Sequence, residues 1–441
     1  MRGRRRLFGI LVAAAALITL APASAQAITV SGTAAPTNLQ AAAHSDFKLH
    51  IAFSGGTPKD LTIGLPPGEI GDPNAAPFCA VSQLNADSCP ANTKLGDAST
   101  MISLLGALPN PLPVTGNVYN LEPHTGEPAR FGIALHALPL PPPLSTLILP
   151  PVILQSGVQV RQTDFGLDTV VKDVPNSATL ISVGGANVPV PIGISSMDLT
   201  LFGVAPGTGK PFLRNPTSCS PLHATFTAVP YSGTTGVGQA PPFTLSGCGA
   251  LPFSPTFSAR LGAKRQNKPL GHPPVTTSID QGPGEAGLKD ALVVLPPDLG
   301  VNLTKLNQIC PLAAFNAAAC PPNTVVGSAI ATSPLLAQPI TGPVVLVQSE
   351  VLPDIGLNLS GPLSLNLHGR LDFSGTVTFG GLPDIPISHF ELKFTGGPDG
   401  LNVANRDLCK PPAPLFHENF TSYSGAMTSL ATRAKVDGCG G

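Results

Sequence analysis

Apolar and polar residues alternate along several short segments of the chain, which is the pattern of β-strands with one buried face. The clearest segments are DFKLHIAF (46–53), ARFGIALHA (129–137), GVQVRQTDFGLDTVV (157–171), TVTFGG (376–381) and FELKF (390–394). Two further predicted strands end at Leu-Pro-Pro, at 65–67 and 295–297, because proline supplies no donor to a sheet ladder. Many short strands between Gly- and Pro-rich turns predict an all-β protein of β-sandwiches, immunoglobulin-like in the broad sense.

One segment breaks the alternation, and it occurs twice. PFCAVSQLNADSCPANTKLG (77–96) and QICPLAAFNAAACPPNTVVG (308–327) keep two cysteines ten positions apart, followed by Pro, Asn, Thr and Gly at matching offsets. The residues between the cysteines are rich in Ala, Leu and Asn, which favours a short helix or a compact loop. The fifth residue after the first cysteine is apolar in both copies, Leu84 and Phe315, and is expected to point inward.

The repetition extends over most of the chain. Lys-Asp leads to Leu-Pro-Pro at one spacing at 59–67 and at 289–297, Thr-Gly recurs at 115–116 and 341–342, and Tyr-Ser-Gly recurs at 231–233 and 423–425. Self-similarity at a long period indicates a duplicated structural unit. We therefore predict one repeat at 28–249 and a second at 250–441. The first has a longer Pro-rich insertion near 138–151.

The eight cysteines divide into two sets of four in the same order. In an exported chain they are expected to form disulfides, and the repeat favours local pairs: Cys79–Cys89, Cys219–Cys248, Cys310–Cys320 and Cys409–Cys439. Loops of ten and thirty residues would contribute roughly 3 and 3.5 kcal/mol in the chain-entropy model. The alternative is zinc binding, but the spacing lacks the close CxxC pairs of zinc ribbons.

The first 27 residues have the composition of a secretory signal peptide. Four arginines precede the apolar run 7–20, and small-residue cleavage triplets follow it. The alternative is an uncleaved membrane anchor, for which the run is short. Removing residues 1–27 changes the formal net charge from −1 to −5, which gives no electrostatic attraction to nucleic acid. We therefore predict a bacterial protein that is secreted, extracellular or attached to the cell envelope, with no transmembrane span after cleavage.

Candidate catalytic residues are few. No HExxH or Gly-x-Ser-x-Gly motif occurs. Glu122 and Glu127 near His124 and Arg130 form a possible acidic pair without a counterpart in the second repeat, although a solvated hairpin loop is the favoured interpretation. Leu-Pro-Asp-Ile, at 352–355 and 382–385, is interpreted as a turn. The segment LPLPPPLSTLILPP (138–151) is either an apolar interaction surface or an extended edge packed on its own domain.

Several of these segments resemble a family of large, uncharacterised exported proteins of high-GC actinobacteria, which are built of cysteine-paired β-repeats. The resemblance rests on SGGTPKDLTIGLPPG, CPANTKLG, VYNLEPHTGEPARFG and LTLFGV before NPTSC. It covers most of the chain after residue 27 and is best in the first repeat. The second repeat departs from it at VVLVQSEV. The resemblance implies secretion and β-repeat architecture, and no catalytic residues.

These observations predict a non-catalytic secreted or envelope-associated protein of structural or adhesion type. The alternative is a secreted glycan-binding protein or hydrolase, with a site in the non-duplicated part of the first repeat. No cofactor or metal is predicted. The partner is unknown, and a cell-surface protein or a polysaccharide is the candidate.

Overall fold

Two large, mainly antiparallel sheets contain most of the secondary structure. The computed structural model describes residues 27–105, 108–140, 142, 145, 147–182 and 187–439. The predicted signal peptide, except Ala27, and four residues of the Pro-rich segment lie outside this range. Each sheet encloses its own apolar core, so the chain has two β-domains, here called domain 1 and domain 2.

The described residues of domain 1 form fifteen strands and one short α-helix. They are β1 (Thr29–Pro36), β2 (Phe47–Ser54), β3 (Pro58–Gly64), β4 (Ile70–Gly71), α1 (Val81–Asn85), β5 (Lys94–Leu104), β6 (Leu112–Leu121), β7 (Arg130–Ala137), β8 (Leu147–Ile148), β9 (Val152–Val160), β10 (Leu167–Val171), β11 (Ser177–Ser182), β12 (Asn187–Leu201), β13 (Leu213–Arg214), β14 (Thr225–Pro230) and β15 (Gly236–Gln239). Thirteen of the strands form one sheet, in which β1-β2-β12-β5-β6-β7-β9-β10-β3-β14-β15 is the main path. The short strands β4 and β13 pair separately.

Domain 2 contains fourteen strands and a second short helix. They are β16 (Thr256–Leu261), β17 (Val275–Asp280), β18 (Leu288–Val294), β19 (Leu299–Val301), α2 (Leu312–Asn316), β20 (Val325–Thr332), β21 (Ile340–Val347), β22 (Asp354–Leu359), β23 (Leu365–Leu371), β24 (Thr376–Phe379), β25 (His389–Phe394), β26 (Asn402–Ala404), β27 (Leu415–Ser422), β28 (Met427–Arg433) and β29 (Lys435–Val436). Twelve strands form the sheet β28-β27-β18-β24-β23-β22-β21-β20-β25-β17-β16-β29, and β19 pairs with β26.

Each sheet curls until its two edges approach one another, so each domain is a near-barrel. In domain 1 a Cβ on Gly236 of β15 would lie 2.0 Å from the carbonyl oxygen of Ile28. In domain 2 the Thr428 hydroxyl of β28 donates to the carbonyl oxygen of Phe253, just before β16. Curling lets one face of a single sheet enclose a core, and Phe47 and Phe416 are fully buried in the two cores.

The all-β prediction is confirmed, but each domain contains one continuous main sheet where the alternation predicted a two-sheet sandwich. The reason is that alternation reports only that one face of a strand is buried, and a curled sheet and a sandwich satisfy this equally. The fifteen-residue strand β12 pairs with β2, β5 and β11 and has a bulge between Ile194 and Ser196. A bulge bends a strand and increases its twist, which favours closure of one sheet.

The recurring Thr-Gly pair has a structural reason. A Cβ on Gly116 would lie 1.8 Å from the carbonyl oxygen of Ala134, and one on Gly342 would lie 1.8 Å from that of Asn358. Real Cβ atoms do not come this close to backbone oxygens, so neighbouring strands can meet here only because the side chain is absent.

Candidate functional site

The two cysteine segments have the same structure. Disulfides join Cys79 to Cys89 and Cys310 to Cys320, and each loop contains one short helix. Leu84 and Phe315 are 0% and 1% exposed, as the sequence pattern predicts. The remaining pairs, Cys219–Cys248 and Cys409–Cys439, are also those that the repeat favours.

A buried asparagine lies beside each of these segments, on the strand that the segment packs against. The Asn120 side chain donates to the carbonyl oxygens of Pro73 and Ala76 at 2.9 and 2.8 Å. In domain 2 the Asn358 side chain donates to the carbonyl oxygen of Phe315 at 3.0 Å. Both asparagines have a structural role, since Asn120 satisfies carbonyl oxygens of the loop before Cys79 and Asn358 satisfies a carbonyl oxygen of the helix at 312–316.

Two histidines also have matching structural roles. His44 Nδ1 lies 2.7 Å from the carbonyl oxygen of Leu213 in β13, and His272 Nδ1 lies 3.1 Å from that of Asn402 in β26. Each histidine therefore fixes the second strand of the small two-stranded sheet in its domain. The same geometry makes Leu213 and Asn402 corresponding residues.

The acidic pair predicted in the loop after β6 is only partly brought together. Arg130 binds both Glu127 carboxylate oxygens, at 2.9 and 2.8 Å, and its Nη2 atom lies 2.7 Å from His124 Nδ1. Glu122 is exposed and takes no part. Partial burial opposes ionisation of Glu127, but the hydrogen bonds from Arg130 and the His124 N–H outweigh it and lower the Glu127 pKa. Such a carboxylate is ionised and engaged, which does not suit a general acid.

A buried polar cluster lies between the two domains. Asp384 of domain 2 accepts hydrogen bonds from the Thr217 N–H at 2.7 Å and from its hydroxyl, while Thr217 Oγ1 also accepts from the Gly287 N–H at 3.0 Å. Arg214 lies close enough to interact electrostatically with Asp384. Burial raises the Asp384 pKa in spite of these partners, and burial lowers the pKa of Arg214. The cluster joins the domains through charge-assisted hydrogen bonds.

Glu69 is buried close to this cluster. Glu69 is 0% exposed, and neither of its carboxylate oxygens has a hydrogen-bond partner within the described residues. Burial raises its pKa well above the usual value. The preceding residue, Gly68, lies against Asp384, because a Cβ there would be 2.7 Å from Asp384 Oδ2. The corresponding residue of domain 2 is Leu299, since both follow Leu-Pro-Pro and both donate an N–H to the carbonyl oxygen of the first proline.

An apolar cavity of about 140 Å³ lies inside domain 2. Its wall is mostly Leu, Ile, Val and Phe from the strands of the curled sheet, with no charged residue in the described wall. Left empty, such a cavity costs about 3 kcal/mol, at about 24 cal/mol per Å³. Two interior cavities of domain 1 have volumes of about 60 and 40 Å³.

The surface of domain 1 has an open polar depression of about 430 Å³. Its polar lining consists of Asp97, Ser99, Thr115, Asn117, His136, Asp198 and Thr200. His136 Nε2 lies 2.6 Å from Asp87, and Asp198 lies 2.7 Å from His50 Nδ1. Hydroxyl, amide and carboxylate groups side by side on an accessible surface suit hydrogen bonding to a polyol.

Sequence reasoning missed Glu69 and Asp384. The sequence predicts an ordinary turn for the Leu-Pro-Asp-Ile segment at 382–385, whereas its aspartate is buried between the domains. The sequence does contain a signal for Glu69, because the corresponding residue of the second repeat is the apolar Leu299. An unmatched acid within an otherwise matching apolar segment indicates a group with a role of its own.

Within the described residues, no group of three or more His, Cys, Asp or Glu side chains is placed to hold a metal ion. A search of the same residues finds no helix with the length and apolar character needed to cross a membrane.

No family model and no curated protein matches this chain. Among solved structures, a protein from Corynebacterium diphtheriae named as membrane anchored aligns over 92% of this chain and 95% of its own, with 10% identity and a TM-score of 0.20. A tetra-tandem repeat from the extending region of a large adhesion protein aligns over 94% and 100%, with 9% identity and a TM-score of 0.11. At these TM-scores neither likeness bears on the function of this chain.

Proposed function

We propose that the protein is a non-catalytic, extracytoplasmic protein of structural or adhesion type, secreted or held at the cell envelope. The state of Glu127 is the observation that carries this proposal. Both of its oxygens are bound by Arg130 and its pKa is lowered, so the best acid-base candidate in the sequence is used for pairing. The four disulfides support an extracytoplasmic location, because such bonds persist in oxidising compartments.

The test combines a turnover screen with a binding assay. Purified protein lacking residues 1–27 is incubated with glycans, peptidoglycan and generic hydrolase substrates, and in parallel with isolated cell envelopes. We expect sedimentation with envelopes and no turnover. Glu127→Gln and Glu122→Gln are the matched variants, since only the first changes the Arg130 pair. Turnover that Glu127→Gln abolishes and Glu122→Gln preserves would contradict the proposal and establish a hydrolase.

Glycan binding is the second candidate, and the polar depression on domain 1 supports it. We expect Asp198→Ala to weaken polysaccharide binding about tenfold, the equivalent of roughly 1.4 kcal/mol from a lost charge-assisted hydrogen bond. Asp437→Ala is the control, because that aspartate pairs with Arg260 in domain 2. If Asp198→Ala and Asp437→Ala bind polysaccharides with equal affinity in a glycan-array measurement, the depression is excluded as the binding site.

A further inference from the structure

The cavity of domain 2 contains one unpaired polar group. Asn402 lies in its wall, is 7% exposed, and its side-chain Nδ2 has no hydrogen-bond partner among the described residues. The backbone there is fixed, since the Asn402 carbonyl oxygen pairs with His272 Nδ1. A buried donor without an acceptor is costly, so native proteins rarely leave one unless something else satisfies it.

This arrangement is specific to domain 2. The corresponding residue of domain 1 is Leu213, whose carbonyl oxygen pairs with His44 in the same way. Domain 1 therefore places an apolar side chain where domain 2 places an amide, and Leu213 lines a different apolar cavity, of about 100 Å³. Because leucine fits this position in one domain, the asparagine is not needed to build the fold.

We propose that domain 2 binds a neutral alkyl chain carrying one hydrogen-bond-accepting oxygen, with the oxygen at Asn402 Nδ2 and the chain along the cavity. The apolar wall binds the chain through the hydrophobic effect. A charged head group is excluded from this end, because no charged residue in the described wall could compensate for its desolvation. This site is separate from the proposed structural or adhesion role and does not rest on it.

The size of the cavity sets the length of the chain. Its volume of about 140 Å³ is close to the roughly 150 Å³ of an engineered cavity that holds benzene, which corresponds to about six carbons. A second apolar cavity of about 100 Å³ lies between the domains and shares Leu365, Pro383 and Ile385 with the first. Leu365 is on the side facing domain 1, since the Asn366 N–H donates to the Gln162 side chain. A chain of about ten carbons would run from Asn402 toward domain 1.

The experiment is isothermal titration calorimetry of the disulfide-bonded protein lacking residues 1–27, with 1-octanol and with octane as probes. We expect the wild type to bind both, and 1-octanol about tenfold more tightly, because only the alcohol supplies an acceptor to Asn402. Asn402→Leu, which installs the residue of domain 1, should bind octane at least as well and lose the preference for octanol. Asn405→Leu is the control, since Asn405 is exposed on the same segment, and it should keep the preference.

A second variant tests the cavity itself. Ala331 of β20 lies in the wall, so Ala331→Phe should fill the space and abolish binding of both probes. If this variant does not fold, the comparison of Asn402→Leu with Asn405→Leu still decides the question. The proposal is overturned if the wild type binds neither probe, or if Asn402→Leu retains the tenfold preference.

Discussion

Two pairs of residues occupy matching backbone positions in the two domains but differ in polarity. Glu69 and Leu299 follow the same Leu-Pro-Pro turn, and Asn402 and Leu213 occupy the same position beside a histidine. At both positions one domain buries a polar side chain and the other domain has leucine. A buried carboxylate without partners opposes folding whenever it is charged, so its presence lowers stability.

We predict that Glu69→Leu stabilises the protein and that the gain grows with pH. Because burial raises the folded-state pKa of Glu69 above its unfolded value, the wild type loses stability as pH rises through the folded pKa. The variant should gain roughly 1–3 kcal/mol at pH 8 and little at pH 4. Urea unfolding at both pH values measures this difference.

Glu122→Leu is the control for Glu69→Leu, because Glu122 is exposed. It should leave the pH dependence of unfolding unchanged. Asp384 and Glu418 also have raised pKa values, so part of the wild-type slope will remain in the Glu69 variant. A slope identical to that of the wild type would show that Glu69 is satisfied in the folded protein.

At the scale of elements, the two short helices depend on their disulfides. Each helix has only five residues, too few to be stable alone. A ten-residue loop closed by a disulfide and one inward apolar residue hold each helix on its sheet, and the buried Asn358 also binds α2. Removing one of these supports should therefore release the helix locally before it unfolds the domain.

We predict that the double substitution Cys310→Ser and Cys320→Ser lowers the stability of domain 2 by about 3 kcal/mol, the loop-closure entropy of a ten-residue loop. Hydrogen exchange should increase most at α2 and around Asn358. The matched control is Cys79→Ser with Cys89→Ser. It removes the disulfide that closes a loop of equal length in domain 1 and should affect α1 only. Unchanged exchange at α2 would show that packing of Phe315 is sufficient.

The sequence predicted these elements better than their arrangement. Local features such as the inward Leu84 and Phe315 and the disulfide pairs follow from residue type and spacing. The closure of each sheet does not, because it depends on long-range register, such as β12 pairing with both β2 and β5. The Asp384–Thr217 contact joins residues 167 positions apart, and no local pattern encodes it.

At the scale of the whole molecule, the domains are joined by polar and apolar contacts. Val160 and Phe165 of domain 1 pack against the core of domain 2. The Gln162 side chain donates to the Ser364 carbonyl oxygen at 3.1 Å and accepts from the Asn366 N–H at 3.3 Å. Together with the buried Thr217–Asp384 pair, these contacts couple the two domains energetically.

We predict that Thr217→Val uncouples the domains. It removes the hydroxyl that bridges Asp384 and the Gly287 N–H, which should cost about 1–3 kcal/mol at the interface. Calorimetry should show two separate unfolding transitions where the wild type shows one. Thr93→Val is the control, since Thr93 is equally buried but bonds within domain 1. A single cooperative transition in the Thr217 variant would place the coupling in the apolar contacts instead.

The Cys409–Cys439 bond has a mechanical consequence. It encloses β27, β28 and β29, and β29 lies parallel to β16 at the edge of the sheet. Tension applied beyond residue 439 would pass through the sulfur bridge to Cys409 and leave the enclosed hairpin unloaded. About 100 Å of contour length, at roughly 3.4 Å for each of about 30 residues, would stay hidden until the bridge is reduced. Single-molecule pulling with and without reductant would reveal it as a step of that length.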